Sequence, residues 1–304
     1  MKRSAPPAGT SPVLKLNHDW RLTGGQWPDL MRIVESGIFY QMQHPSLLDL
    51  FVEPAARLRA VLITGGAREG ALIAVDVDDK SVRIQRPLGP GGPALFEEEV
   101  RREYGKRGIL AAGLDVEIES VVRKICPSAR APIVQCVEIS NLEDFDLGLH
   151  GSMYKSLRNS ISHAEREGIQ VEAYDPARHA DRALKVFDEW NSLKPRVATF
   201  WMPAVLKDAA VPGLVSVAAV RRGRVIGVSM ALTAGTYAYM LLALTLRDHG
   251  RSQELMDYEL MKLLKSSGVR RLDWGISDSG PISAYKKKYG NISTHPISTF
   301  WIPA

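Results

Sequence analysis

The sequence predicts an α/β (α+β) protein of two tandem domains, each a mixed, mostly antiparallel sheet flanked by helices. Three observations carry this. Short β-rich segments alternate with helix-period segments along most of the 304 residues. The same order of elements occurs twice, and the two copies keep a nearly fixed offset.

In the first copy, strand 60–63, a turn at Gly65-Gly66 and strand 71–77 form a hairpin. Strand 82–86 follows, and the loop Gly89-Pro90-Gly91-Gly92-Pro93 leads into a helix 94–106 ending at Gly108, with a strand from Ile109. In the second copy, strand 215–220, a turn at Arg222-Gly223, and strands 225–232 and 237–245 form a meander. The loop Arg247-Asp248-His249-Gly250-Arg251 then precedes a helix 252–267, with Ser252 as its N-cap and Gly268 just past its end, and a strand 272–276. Gly223 follows Gly65 by 158 positions, Ser252 follows Ala94 by 158, and Gly268 follows Gly108 by 160. A duplicated β-β-β-loop-α-β unit accounts for this spacing. The division it implies is a flexible Pro/Ala/Ser-rich tail 1–12, an N-terminal domain 13–142 and a C-terminal domain 143–304.

Composition narrows the function classes. The formal charge of +5 suits an anionic partner without requiring one. Cys126 and Cys136 are the only cysteines and lack the spacing of a zinc site, so a cytoplasmic protein with reduced thiols and no metal centre is expected. The longest apolar run, 238–246, is too short to cross a bilayer, and the tail 1–12 has no apolar core of a signal peptide.

Two further segments carry candidate chemistry. Residues 152–167 read as an amphipathic helix closed by Gly168: Met153, Leu157, Ile161 and Ala164 share one side, and Lys155, Arg158, Asn159, Ser162 and Arg166 the other. Such a stripe can contact nucleic-acid phosphates; a solvated face on a packed helix is the alternative. After strand 272–276 the chain turns at 277–280 and enters a helix with Pro281 in its first turn, ending at Gly290. Ile282, Tyr285 and Tyr289 define its apolar arc, Lys286 falls within that arc, and Lys287 and Lys288 point away. An inward ammonium beside two aromatics is suited to stabilise a developing oxyanion; the alternative is a lysine whose stem merely covers Tyr285 or Tyr289. Asp273 and Asp278 flank this motif as candidate bases, and each also suits a turn or cap.

A loop between a strand and a helix N-terminus offers unpaired N–H groups to a pyrophosphate. The repeated order of elements resembles the GNAT acyltransferase fold, whose Q/R-x-x-G-x-G/A motif is similar to Arg247-x-x-Gly250-x-Ser252, with Ser in the final place. The run 154–171, and Tyr285-Lys286-Lys287-Lys288-Tyr289-Gly290 after Asp273-Trp274-Gly275, resemble the Fem-type peptidoglycan aminoacyltransferases and the catalytic region of phosphatidylglycerol lysyltransferase. These are tandem GNAT-like enzymes that take an amino acid from aminoacyl-tRNA. The resemblance implies an oxyanion role for Lys286 and a supporting one for Tyr285. It further implies donor contacts for Lys155, Arg158, Arg166, Arg247, Gly250, Arg251, Ser252, Lys287 and Lys288.

The expected chemistry is attack of an amine on an activated carbonyl, without a covalent enzyme intermediate because no Ser/His/Asp or Cys/His arrangement is readable. Three readings follow. An aminoacyl-tRNA-dependent transferase would form an amide on a soluble small-molecule or peptide amine, as stand-alone relatives do in peptide or nucleoside antibiotic biosynthesis. A coenzyme A-dependent N-acyltransferase would use acyl-CoA as donor. A non-catalytic RNA-binding module would use the fold alone. No other cofactor is expected.

Overall fold

Residues 70–78 and 224–234 are apolar at nearly every position, which is how strands read when both faces of their sheet are covered. The structure, a computed structural model, describes residues 13–17, 57–63, 69–129, 132–193, 201–207, 211, 213–249, 251–277 and 280–304. The expected turn at Gly65-Gly66, and residues Gly250 and Asp278, lie outside these. The described chain divides into two compact units, one holding Val52–Ile133 and Ser298–Ala304 together with β1, the other Val134–Ile297.

The first unit contains β1 (Val13–Asn17), β2 (Arg57–Ile63), β3 (Gly70–Asp78), β4 (Ser81–Gln85), α1 (Gly92–Glu103), β5 (Gly108–Leu114) and α2 (Val116–Ile125). Its strands lie in the order β1-β2-β3-β4-β5. All neighbours are antiparallel except β4 and β5, which run parallel on either side of α1 in the chain. Leu95, Phe96 and Val100 of α1 pack on Leu72, Ala74, Val82, Ile84, Ile109 and Ala111. The expected end of α1 at Gly108 is corrected: the helix stops at Glu103, and Gly108 opens β5. A Cβ at Gly108 would come within 2.7 Å of the Trp301 ring, so close packing explains that glycine.

The second unit contains β6 (Ile133–Asn141), α3 (Lys155–Arg166), β7 (Ile169–Ala173), α4 (Pro176–Leu193), α5 (Met202–Lys207), β8 (Leu214–Arg221), β9 (Arg224–Ala234), β10 (Tyr237–Thr245), α6 (Ser252–Ser266), β11 (Arg271–Ser277) and α7 (Gly280–Lys286), and β12 (Ile292–Ile302) begins in it and passes to the first unit at Ser298. Here β7-β8-β9-β10 form an antiparallel meander and β11 joins β10 in parallel. This repeats the first unit: antiparallel, antiparallel, then parallel across a helix. The helices α1 and α6 begin at Gly92 and Ser252, 160 positions apart. Leu255, Met256, Leu260 and Leu264 of α6 pack with Leu157 and Ile161 of α3 in one apolar cluster. Val186 and Phe187 of α4 pack with Val228, Met230 and Leu232 of β9 in another.

The strands beside β11 and β5 come from distant parts of the chain. β6 follows α2 in the chain yet pairs antiparallel with β11 in the second unit. The end of β12 follows the second unit yet pairs antiparallel with β5 in the first, with Ile302 opposite Ile109. Among the described residues, no helix is long and apolar enough to cross a membrane.

Candidate active site

β10 and β11 are paired over only Tyr237–Tyr239 and Arg271–Asp273, although they have nine and seven residues. Each is irregular at the point of separation: β10 shifts register between Met240 and Leu242, and β11 between Asp273 and Ile276. Gly275 lies in the left-handed region at φ 73°. Asp273, almost fully buried, holds this bulge by accepting from the Gly275 N–H at 2.6 Å and the Tyr237 hydroxyl at 2.8 Å. The expectation of a base at Asp273 thus meets a carboxylate that shapes the backbone beside the site.

The bulge turns carbonyls toward α7. Lys286 is buried, and its Nζ donates to Gly275 O at 2.8 Å, Ile276 O at 3.1 Å and Ser277 Oγ at 2.8 Å. Those three bonds match the three hydrogens of an ammonium. Glu138 of β6 approaches the same nitrogen at 3.7 Å and accepts from the hydroxyls of Ser277 and Ser283. Burial raises the pKa of Glu138, but the two hydroxyls and the Lys286 and Lys287 charges outweigh it and hold the carboxyl below its ordinary range. Lys286 is therefore a buried cation built into the end of β11 with its own counter-ion, as its inward position on the helix implied.

The rest of the arc is corrected in part. Ile282 is exposed, and Ser283 takes the inward place, bonded to Glu138. The helix ends at Lys286 and tightens into a 3₁₀ turn over Lys287–Tyr289, which rotates Tyr289 into the core against Trp274. Lys287 is exposed. Lys288 pairs with Glu254 at 2.9 Å and lies 5.3 Å from the centre of the Tyr285 ring.

Tyr285, the residue before Lys286, meets a buried acid that the sequence did not bring forward. Asp257 of α6 accepts from Tyr285 Oη at 2.6 Å, Ser229 Oγ at 2.7 Å and Gln253 Nε2 at 2.7 Å. Tyr285 and Tyr289 are bonded hydroxyl to hydroxyl at 2.9 Å. Burial pushes the Asp257 carboxyl up from 3.8 to about 6 against the pull of its three donors, and it drives both tyrosines well above their ordinary range. The signal was present: Asp257 interrupts the apolar stripe Leu260, Met261 and Leu264 on α6. A carboxylate on such a stripe requires partners.

The expected donor residues divide. Arg247 and Arg251 are exposed in the loop after β10. Ser252 is buried and is not the N-cap: Arg251 holds that place, and the Ser252 hydroxyl donates to His249 O at 2.6 Å. On α3, Leu157, Ile161 and Ala164 are buried as expected, while Met153 precedes the helix and is exposed. Lys155 is exposed, Arg158 donates to the carbonyls of Leu149 and Gly151, and Arg166 donates to Ser162 O in its own helix. Two of the three α3 cations thus close local backbone.

The parallel strands β10 and β11 are joined through α6 and splay beyond Tyr239 and Asp273. Residues 151–287, which lie within the second unit, match the family model described as an acetyltransferase (GNAT) domain, and the chain has the fold of tandem GNAT-like proteins. Among solved structures the chain is similar to FemX, with 10% identity over 93% of this chain and 96% of that one and a TM-score of 0.67. It is also similar to L-PGS from Bacillus licheniformis, at 14% identity, 91% of each chain and a TM-score of 0.62. A tandem GNAT protein from the clavulanic acid biosynthesis pathway matches at 18% identity over 96% of this chain and 98% of that one, with a TM-score of 0.58. No curated protein matches the chain. The likeness to Fem-type and lysyl-phosphatidylglycerol-type proteins is borne out as a likeness of fold.

Proposed function

We propose that the chain is an aminoacyl-tRNA-dependent aminoacyltransferase that forms an amide on the amine of a soluble small-molecule or peptide acceptor, in the manner of stand-alone transferases of antibiotic assembly. The observation that carries this reading is Lys286: a buried ammonium fixed at the end of the splayed strand, in the motif that resembles the Fem-type enzymes. The acceptor amine attacks the ester carbonyl, the carbon–oxygen bond to the tRNA 3′ oxygen breaks, and the amine's proton leaves with that oxygen. Lys286 stabilises the oxyanion by exchanging its bond to Ser277 Oγ for one to the substrate, an interaction stronger in the transition state than before it. Tyr285, whose hydroxyl is fixed by Asp257, supports the carbonyl's placement, and Arg247 and Arg251 with the loop between them meet donor phosphates. Lys287 is free to do the same at the exposed end of α7.

A second reading is a coenzyme A-dependent N-acyltransferase, favoured by the acetyltransferase family match over 151–287. The test is incubation of the purified protein with bulk tRNA charged with labelled amino acids, or with labelled acyl-CoA, in the presence of amine acceptors and with or without ribonuclease. Ribonuclease-sensitive transfer of label to an acceptor supports the first reading. Transfer from acyl-CoA and never from tRNA overturns it.

A further inference from the structure

On the other face of the sheet from α6, α4 and the start of β9 border an open cleft of about 350 Å³ lined by Arg182, Lys185, Val186, Glu189, Arg224, Val225 and Leu246. Three cations face one carboxylate there. Arg182 is pinned at the β8–β9 turn, its guanidinium donating to Gly223 O at 2.6 Å. Among the described residues, none of Arg182, Lys185 and Arg224 forms an ion pair, whereas Arg178 and Lys288 in the same unit are each paired with a glutamate. The floor is apolar, with Val186 and Val225 buried.

The cavity's position gives it a meaning. Leu246 extends β10 along β9, its N–H donating to Ile226 O at 3.0 Å. The next residue is Arg247, at the head of the loop assigned above to donor phosphates. Arg224 and Arg247 therefore stand at the same end of neighbouring strands, and Leu246, which lines the cleft, is the residue before that loop.

We propose that Arg182, Lys185 and Arg224 form a phosphate-binding cleft for the nucleotide portion of the acyl donor, with Val186, Val225 and Leu246 taking the sugar or base face beside it. Cations that form no ion pair among the described residues release bound solvent anions when phosphate replaces them, and an apolar floor suits a nucleoside. The inference deepens the proposed function and rests on it. Under that function the phosphate is a backbone phosphate of tRNA; coenzyme A offers the same chemistry from a second source.

The experiment measures binding of uncharged bulk tRNA and, separately, of free coenzyme A to the full chain across a salt series. The variants are the triple Arg182→Gln/Lys185→Gln/Arg224→Gln, a control triple of exposed first-unit cations, Arg101→Gln/Lys106→Gln/Lys124→Gln, and Arg224→Lys. Neutralising the cleft is expected to weaken tRNA binding about tenfold or more at physiological salt and to flatten the salt dependence by about two to three phosphate contacts. The control and Arg224→Lys should stay within about twofold of the parent. A selective loss of coenzyme A binding in the cleft triple supports the cleft and moves its phosphate to the second source, which overturns the tRNA reading of function. Unchanged binding of both ligands by the cleft triple overturns the inference and leaves the function standing. Binding of neither ligand by the parent protein overturns both.

Discussion

Replacing Asp257 by Asn should stabilise the protein at neutral pH and remove a pH dependence that the parent shows. A carboxyl titrating at about 6 in place of 3.8 carries a differential of about 3 kcal/mol between its two protonation states. The sign follows from proton binding. Between those two values the folded state holds the proton and the unfolded chain has lost it, so stability falls as pH rises from about 4 to about 6 and is flat above. Asparagine removes that charge without emptying the site. Its carbonyl can accept from Ser229 and Gln253 as one carboxylate oxygen does now, and its amide can donate to the Tyr285 oxygen, with Tyr285 turning its hydrogen to Tyr289, 2.9 Å away. Thermal unfolding of both proteins between pH 4.5 and 8 should therefore show a gain of up to about 3 kcal/mol for Asp257→Asn at pH 7.5 that shrinks toward zero at pH 4.5. A difference that does not change with pH would refute the assignment of a desolvated, proton-holding carboxyl to this position.

Three other perturbations bear on the site. Lys286→Met should lower acyl-transfer kcat by about 10²–10³-fold, the size expected for losing a donor to an oxyanion, with the near-ultraviolet circular dichroism of the parent retained; activity within threefold of the parent would argue that the ammonium is structural only. Glu138→Gln should cost about 2–4 kcal/mol in urea unfolding, because it removes the counter-ion of a buried ammonium, and a double variant with Lys286→Met should recover part of that loss. Gly275→Ala should destabilise by about 1–2 kcal/mol from its φ of 73° alone. Its Cβ would also come within 3.0 Å of the Tyr239 hydroxyl, so a Tyr239→Phe background should relieve part of the effect as read by melting temperature.

The duplicated architecture was legible because its signals are local and repeat: apolar strand runs, Arg222-Gly223 at a hairpin, and Gly268 beyond α6. The inward position of Lys286 was legible from helical angle. Other features were hidden for definite reasons. α2 went unread although Asp115 caps it, accepting from the Ile118 N–H at 3.0 Å, because only ten residues separate β5 from the end of that helix. Ser252 read as a cap from composition, yet its hydroxyl is turned back to His249 by the 3₁₀ turn before it. The counter-ion of Lys286 could not be read. Glu138 lies 148 positions earlier, and it meets the lysine only because β6 pairs with β11. The cationic stripe of α3 was seen, but not that Arg158 would be drawn to loop carbonyls that exist only once the chain before α3 is folded.

The place of β12 beside β5 has a consequence for the order in which the first unit can form. The pairing of β5 with β12 joins Ile109 to Ile302, a separation of 193 residues, so β5 lacks this partner until β12 has left the ribosome. A nascent chain stopped after α2 presents β5 with open N–H and C=O groups along one side, and Phe300 and Ile302 are missing from the core they fill. Folding by successive independent domains is thereby closed to this topology. Until β12 is made, the first unit stays incomplete and exposed to pairing with the wrong strand. High contact order of this kind makes slow folding the expectation for the first unit.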